Sequence, residues 1–319
     1  MRVGIIDVGT NSIHLLIGEV GRSGSFRVIL KARDLTRLGD EGLVEGSLTP
    51  AATRRATSIL QRYAAILKRR RVDHVEAVAT SAVREAKNGR AFVRRVRSRL
   101  GLPLRIISGR EEARLIYLGL RHRLRLRRSA LIVWIGGGSA QVIHGSGSRP
   151  GYLTSLPLGA ARLTQRFIRH DPPQPDEIEA LRRYARRAWA PVVRAIRRRS
   201  WRHSLGGSSM TRELALAAYG LQCRQPPAEE RRLSINRRSL HRLVDWLFTS
   251  TARERSRLAG VDPRRQDLLL AAGIVLLTWM EGCRVARLRY APGSLREGLI
   301  FNKIAPLARL AVDEARRPG

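Results

Sequence analysis

Short apolar runs open this chain and recur along it. Residues 2–8 make the first, with others near 13–20 and 26–32, each rich in Val, Ile and Leu and of strand length. Helical spacing follows: Ala52, Ala56, Ile59, Tyr63, Ile66 and Leu67 fall on one stripe. Thr49-Pro50 in front of them supplies an N-cap and a proline at the first helical position, and Lys68-Arg69-Arg70-Arg71 closes the segment with cations at its carbonyl end. A strand over 75–79, a helix carrying Phe92, Val93, Val96 and Leu100 that Asn88 can cap, and a strand over 104–107 complete the series. Strands alternating with helices predict an α/β domain with a partly parallel sheet.

The pattern restarts near residue 129. Strands flank Gly136-Gly137-Gly138-Ser139, a third strand lies near 152–156, and helices follow Gly159 and then span roughly 176–199. The loop Pro172-Pro173-Gln174-Pro175 separates those helices. A short strand over 201–205 runs into Gly206-Gly207-Ser208-Ser209, and most of the remainder reads as helix, interrupted by a strand over 285–290. The longest apolar stretch, Leu268 to Met280, is too short to span a bilayer and reads as a buried helix. Two related lobes facing one site are therefore expected, with boundaries at 1–125 and 126–300 and a C-terminal helix over 301–319 returning to the first lobe.

The matching strand ends carry the candidate chemistry. Ile5-Ile6-Asp7-Val8-Gly9-Thr10-Asn11-Ser12 and Leu131-Ile132-Val133-Trp134-Ile135-Gly136-Gly137-Gly138-Ser139 each run from a strand into a glycine and hydroxyl turn. Glycine lets the backbone approach a phosphate closely, and successive N–H groups point at the anion. Gly9, Thr10, Asn11, Ser12, Gly136, Gly137, Gly138 and Ser139 are thus candidate phosphate ligands, with Gly207 and Ser208 in a third such turn. The two turns differ at the strand end. Asp7 there suits a metal-bound water or ligand oxygen, or caps its own turn; Trp134 does neither.

Ser108-Gly109-Arg110-Glu111-Glu112 has capping-box spacing, so Glu111 can reach back to the Ser108 N–H. That leaves Glu112 either to complement the helix dipole or to deprotonate a water beside the phosphate turns. Arg84 closes the Thr80-Ser81 turn, and its planar fork suits phosphate.

Composition sharpens the choice of partner. Lys and Arg total 61 against 26 acids, a net charge of +35, and only four of the cations are lysines. A GC-rich genome explains arginine in place of lysine but not the deficit of acids. Polyphosphate, a highly phosphorylated nucleotide, RNA or an anionic membrane would all answer that charge. Clusters such as Arg121/Arg123/Arg125/Arg127/Arg128, Arg182/Arg183/Arg186/Arg187 and Arg194/Arg197/Arg198/Arg199 read individually as solvated faces. Cys223 and Cys283 cannot build a disulfide framework or a four-ligand zinc site, although one bridge between them is open. No secretory leader pattern opens the chain, and the cytoplasm is the expected compartment. The seven histidines show no ligand spacing, and 5% aromatics speaks against stacking platforms for single-stranded nucleic acid.

Taken together these segments resemble the exopolyphosphatase and guanosine-pentaphosphate phosphatase (Ppx/GppA) family of the actin-like, ribonuclease-H-like superfold. Ile6 to Ser12 is similar to its first phosphate loop, Ala79-Thr80-Ser81-Ala82-Val83-Arg84-Glu85-Ala86 to its second signature, and Ile107 to Arg114 to the segment holding its catalytic base, here Glu112. Ser155-Leu156-Pro157-Leu158-Gly159 with Arg162-Leu163-Thr164, and Leu295-Arg296-Glu297-Gly298, match as well. The resemblance implies two α/β lobes around a central cleft and release of terminal phosphate from inorganic polyphosphate or guanosine pentaphosphate. It also implies magnesium as cofactor, no membrane partner, and a homodimer. The family's second phosphate loop has an aspartate, then serine, threonine and glutamate, where this chain has Trp134, Ser139, Ala140 and Gln141. Both acids expected to serve magnesium are replaced, which leaves a weakly active or purely binding member as the alternative.

Overall fold

The computed structural model describes residues 1–21, 26–40, 42–124, 126, 128–147 and 149–304. Arg125, Arg127 and all of the expected C-terminal helix beyond residue 304 lie outside them. The chain forms two compact units, Met1–His122 with the segment from Ser294, and Arg123–Gly293.

The first unit begins with the antiparallel strands β1 (Arg2–Val8), β2 (Ser12–Val20) and β3 (Phe26–Leu35). The short α1 (Gly42–Glu45) leads to α2 (Pro50–Arg69), where Thr49 Oγ1 accepts from the Ala52 N–H at 3.2 Å and Pro50 occupies the first turn as expected. Then come β4 (His74–Ala79), α3 (Ser81–Glu85), α4 (Gly89–Leu100), β5 (Leu104–Ile106) and α5 (Gly109–Leu124). The sheet order is β3-β2-β1-β4-β5, with β1, β4 and β5 parallel.

Asn88 precedes α4, but its side chain makes no capping bond. Its amide instead clamps the backbone of Leu48, accepting from the N–H and donating to the carbonyl, both at 2.8 Å. A remote peptide competes for the same amide, and spacing along the chain does not reveal it.

The second unit repeats the plan. Strands β6 (Ala130–Ile135), β7 (Ala140–Ser146) and β8 (Arg149–Leu156) are antiparallel, followed by α6 (Ala160–Phe167), α7 (Pro175–Arg197), β9 (His203–Gly207) and α8 (Ser209–Leu221). Next are β10 (Ser234–Asn236), α9 (Arg237–Thr249), α10 (Ala252–Arg257), α11 (Leu269–Gly282) and β11 (Arg287–Tyr290). The order β10-β11-β9-β6-β7-β8, read from β8, runs third, second, first, fourth and fifth strand like the first sheet, with β10 added at the edge. This shared order is that of the ribonuclease-H-like fold and establishes the duplication expected from the two glycine turns. The sequence reading misses β10, whose three residues carry too little pattern.

α11 is buried on every side from Leu269 to Met280, so it has no polar stripe and is a core helix. Among the described residues no helix is long and apolar enough to cross a membrane. Both cysteines are free, Cys223 exposed and Cys283 buried, so the bridge left open by the sequence does not form.

Alternation along β1 decides what each face does. Ile6 and Val8 enter the core with Leu60 and Tyr63 of α2 and Phe92 and Val96 of α4. Asp7 therefore points to the opposite face, where the chain returns from Ser294 as α12 (Leu295–Leu299) and packs against β1. Contact between α12 and α5 is close. A Cβ on Gly298 would sit 1.9 Å from the Leu115 carbonyl oxygen, and one on Gly119 would sit 2.1 Å from that of Ser294.

Candidate active site

The two glycine turns are built alike. Each is a hairpin tip closed by the same backbone bond, from Gly9 N–H to Ser12 O at 3.0 Å and from Gly136 N–H to Ser139 O at 2.9 Å. In the first, the carbonyls of Thr10 and Asn11 accept from the N–H groups of Gly39, Thr36 and Arg37. The N–H groups of Asn11 and Ser12, trans to those carbonyls across planar peptides, point the other way. Asn11 Nδ2 is buried without a partner, a donor still requiring an acceptor.

In the second turn the carbonyls of Gly136 and Gly137 accept from the N–H groups of Ala160 and Arg162, and Arg162 Nε donates to Gly138 O at 2.8 Å. Ser139 Oγ accepts from Gln141 Nε2 at 2.8 Å, and Ser155 Oγ accepts from the same amide at 3.1 Å. Gln141 Oε1 is buried with no partner. Trp134 and Gln141 sit opposite each other in the β6–β7 ladder. The indole lies over Gly207, where a Cβ would approach Trp134 Cε3 to 2.3 Å. One flank of the third turn is therefore closed by Trp134. Ser208 holds a φ of 84°, a region costly for any residue but glycine, while its Oγ accepts from the Thr211 N–H at 3.2 Å.

Glu112 is buried in the first turn of α5. Arg84 Nη1, reaching from α3, donates to Glu112 Oε2 at 3.0 Å and to the Ile107 carbonyl at 3.1 Å. Burial pushes the Glu112 carboxyl up to about 7, although Arg84 pulls the other way, and the neighbouring Asp7 and Glu85 charges add to the rise. Asp7 itself is held above its ordinary value by desolvation, opposed by the Arg296 charge. One unit thus brings together Asp7, Arg84, Glu112 and Arg296. Arg296 was legible only as part of a resemblance; its relation to Asp7 comes from the docking of α12.

Glu111 behaves differently from its neighbour. Ser108 Oγ accepts from the Glu111 N–H at 3.1 Å, which is half of the expected capping box. The reciprocal bond is absent, because the Glu111 carboxylate pairs with Arg105 Nη1 at 2.9 Å instead. A full guanidinium charge offers more than a backbone N–H at a half-exposed position.

Among the described residues no three His, Cys, Asp or Glu side chains gather as a metal site. A hard cation would find Asp7 at the first turn, with Glu112 near it but already paired to Arg84, and an indole and a neutral amide at the second.

Comparison with known proteins agrees with this organisation. The family model described as "Ppx/GppA phosphatase family" matches residues 17–306. Exopolyphosphatase 1 of Mycobacterium tuberculosis is 30% identical over 306 residues, covering 95% of this chain and 88% of that protein. The crystal structure of an exopolyphosphatase from Cytophaga hutchinsonii is similar with a TM-score of 0.86 at 28% identity, over 94% of this chain and 97% of that one. The Aquifex aeolicus Ppx/GppA family member gives a TM-score of 0.75 at 26% identity, over 99% of both chains. With its duplicated strand order, its paired glycine turns and a family match over nearly its whole length, this chain belongs to the Ppx/GppA phosphatase family.

Proposed function

We propose that this protein releases terminal phosphate from inorganic polyphosphate, with Glu112 as general base. The observation that carries the reading is a buried carboxylate pushed up to about 7 and fixed by Arg84. Such a group is half-deprotonated near neutral pH and takes a proton readily. A water oxygen attacks the terminal phosphorus, Glu112 accepts the proton, and the anhydride P–O bond breaks toward the shortened chain. The Gly9–Ser12 turn and Asn11 Nδ2 receive phosphate oxygens, and the like-built Gly136–Ser139 turn of the second unit is a phosphate cradle in its own right. Gly207 and Ser208 stand less well for this role, since Trp134 covers one and the other caps α8. Stabilisation of the transferring group is mainly electrostatic, and Arg84 and Arg296 supply positive charge beside it. Polyphosphate is preferred to guanosine pentaphosphate because the named relatives are exopolyphosphatases.

Magnesium is the family expectation, but these donors do not fit a protein-built metal centre. Phosphate release from long-chain polyphosphate and from guanosine pentaphosphate, each with and without magnesium, tests the reading. Release from neither substrate would sink it. We place the protein in the cytoplasm, and as a homodimer, whose mass light scattering of the purified chain tests.

The pH profile follows from the direction of the shift. Burial raises the Glu112 pKa, so the base is protonated and idle on the acid side, and kcat/KM should climb with pH through about 7. Arg84→Met removes the charge that opposes the shift; its acid limb should move to higher pH, with activity at neutral pH down roughly tenfold or more. An unmoved limb would separate Arg84 from the proton acceptor.

A second reading, binding with little turnover, rests on Trp134 and Gln141. Trp134→Asp with Gln141→Glu should raise magnesium-dependent release if those positions limit it. The double variant should also be less stable, because Gly207 loses its cover and a charge enters the buried Ser139–Ser155 pair. A folded double variant that gains nothing would favour binding alone.

A further inference from the structure

Helices α2 and α4 pack side by side on the sheet face opposite Asp7, and neither contains a carboxylate. α2 carries Arg54, Arg55, Arg62, Lys68 and Arg69; α4 carries Arg90, Arg94, Arg95, Arg97 and Arg99. Arg62 is matched by Asp34 at 2.7 Å, and Arg55 Nε donates to Thr36 O at 3.1 Å. Between the helices runs a groove of about 560 Å³ with Arg54 on one wall and Arg95 and Arg99 on the other. Ser58 and Gln61 add neutral donors, and no acid lines it. Among the described residues no ion pair holds any of the three arginines.

Some arginines elsewhere are matched by acids. On α7, Arg182 and Arg186 lie 3.9 Å from Asp245 and Glu281, and Arg232 lies 3.6 Å from Glu229. Arg95 and Arg99 are four residues apart on one helix face, a spacing that destabilises a helix when the charges are alike. A bound polyanion reverses that sign. Base stacking has no platform here, since the groove's aromatic residue, Phe92, is 3% exposed and turned into the core. The chemistry that fits is a bare run of phosphates.

We propose that the α2–α4 groove is an accessory anchoring site for inorganic polyphosphate, holding a distal stretch of the polymer whose end is hydrolysed. The proposal rests on the polyphosphate reading above and makes long chains better substrates than short ones. A second point of attachment raises the effective concentration of a long polymer at the site without helping a short one.

The test compares Arg54→Gln/Arg95→Gln/Arg99→Gln with Arg183→Gln/Arg224→Gln/Arg253→Gln, which removes equal charge from scattered exposed positions of the other unit. Affinity for end-labelled long-chain polyphosphate and steady-state hydrolysis of long-chain polyphosphate and tripolyphosphate are measured against salt. The groove variant should bind the long chain about tenfold more weakly, with its log affinity falling less steeply with log salt by about two, as three lost phosphate contacts imply. Its kcat and KM for tripolyphosphate should stay unchanged. A loss no larger than in the control variant, or an equal loss with tripolyphosphate, would overturn the proposal. RNA of matched length binding the groove as tightly as polyphosphate would reassign it to nucleic acid. If the wild type binds polyphosphate through the groove but releases no phosphate, the hydrolase reading fails and the groove stands. If the groove variant hydrolyses long chains with unchanged KM, the groove fails alone.

Discussion

Glu112→Gln is expected to lower phosphate release from polyphosphate by about 10²–10⁴-fold, the range of a positioned general base, while substrate affinity is kept. Glutamine preserves the shape of the side chain, so the Arg84 bond at Oε2 survives in a weaker, uncharged form. The same variant has a stability signature. The folded-state pKa is raised from 4.5 to about 7, so folding favours the protonated form. The contribution of this group is fully present below about 4.5 and is lost as pH rises through about 7. A shift of this size is worth on the order of 3 kcal/mol. The wild-type melting temperature should therefore fall between pH 5 and pH 8 relative to that of Glu112→Gln, which has no proton to lose. Glu111→Gln is the control. Its carboxylate is half-exposed and pairs with Arg105, so activity should change little. Equal losses in the two variants would undo the division of roles between these adjacent acids.

Gly298→Ala is expected to be among the most damaging single methyl additions in the first unit. Its Cβ would lie 1.9 Å from the Leu115 carbonyl oxygen, inside any tolerable contact, and a backbone atom cannot swing aside. Either α12 lifts from α5 or the Leu115 carbonyl turns and strains its helix. Overpacking of this kind costs about 3 kcal/mol, which for a unit of this size lowers the melting temperature by roughly 10 °C. The functional consequence travels with α12, because Arg296 lies on that helix and its charge acts on Asp7. Activity of the folded fraction should drop as well, and scanning calorimetry beside kinetics at low temperature separates the two losses. Ser294→Ala removes a cap without inserting volume, since Ser294 Oγ accepts from the Arg296 N–H at 3.2 Å. It should cost about 1 kcal/mol. A Gly298→Ala variant as stable as the wild type would mean that α12 is not seated on α5 in solution.

Much of this protein is local in origin, and local features are legible in a sequence. Apolar runs of strand length became β1, β2, β4, β6 and β7, because alternation and burial act on neighbouring residues. Thr49-Pro50 starts α2, and the continuous apolar segment ending at Met280 is a core helix. The two glycine turns announced a duplication, since a hairpin tip is closed within four residues. The same turns announced a difference between the two halves, with Trp134 and Gln141 where the resemblance expects acids. Other features needed distant residues to meet. The sequence already set Glu112 apart from Glu111, but not their surroundings: Arg105 and Arg84 arrive from another strand and another helix and set one carboxylate in a half-exposed pair and the other in a buried one. Asn88 left its helix for Leu48 for the same reason. Arg296 came beside Asp7 only because Gly119 and Gly298 let two helices touch backbone to backbone. The acid-free groove between α2 and α4 likewise exists only once the sheet has set those helices side by side. Sequence determined the elements and the chemical types at their ends. Desolvation and the fields of remote charges, which depend on what surrounds a group, decided what those types can do.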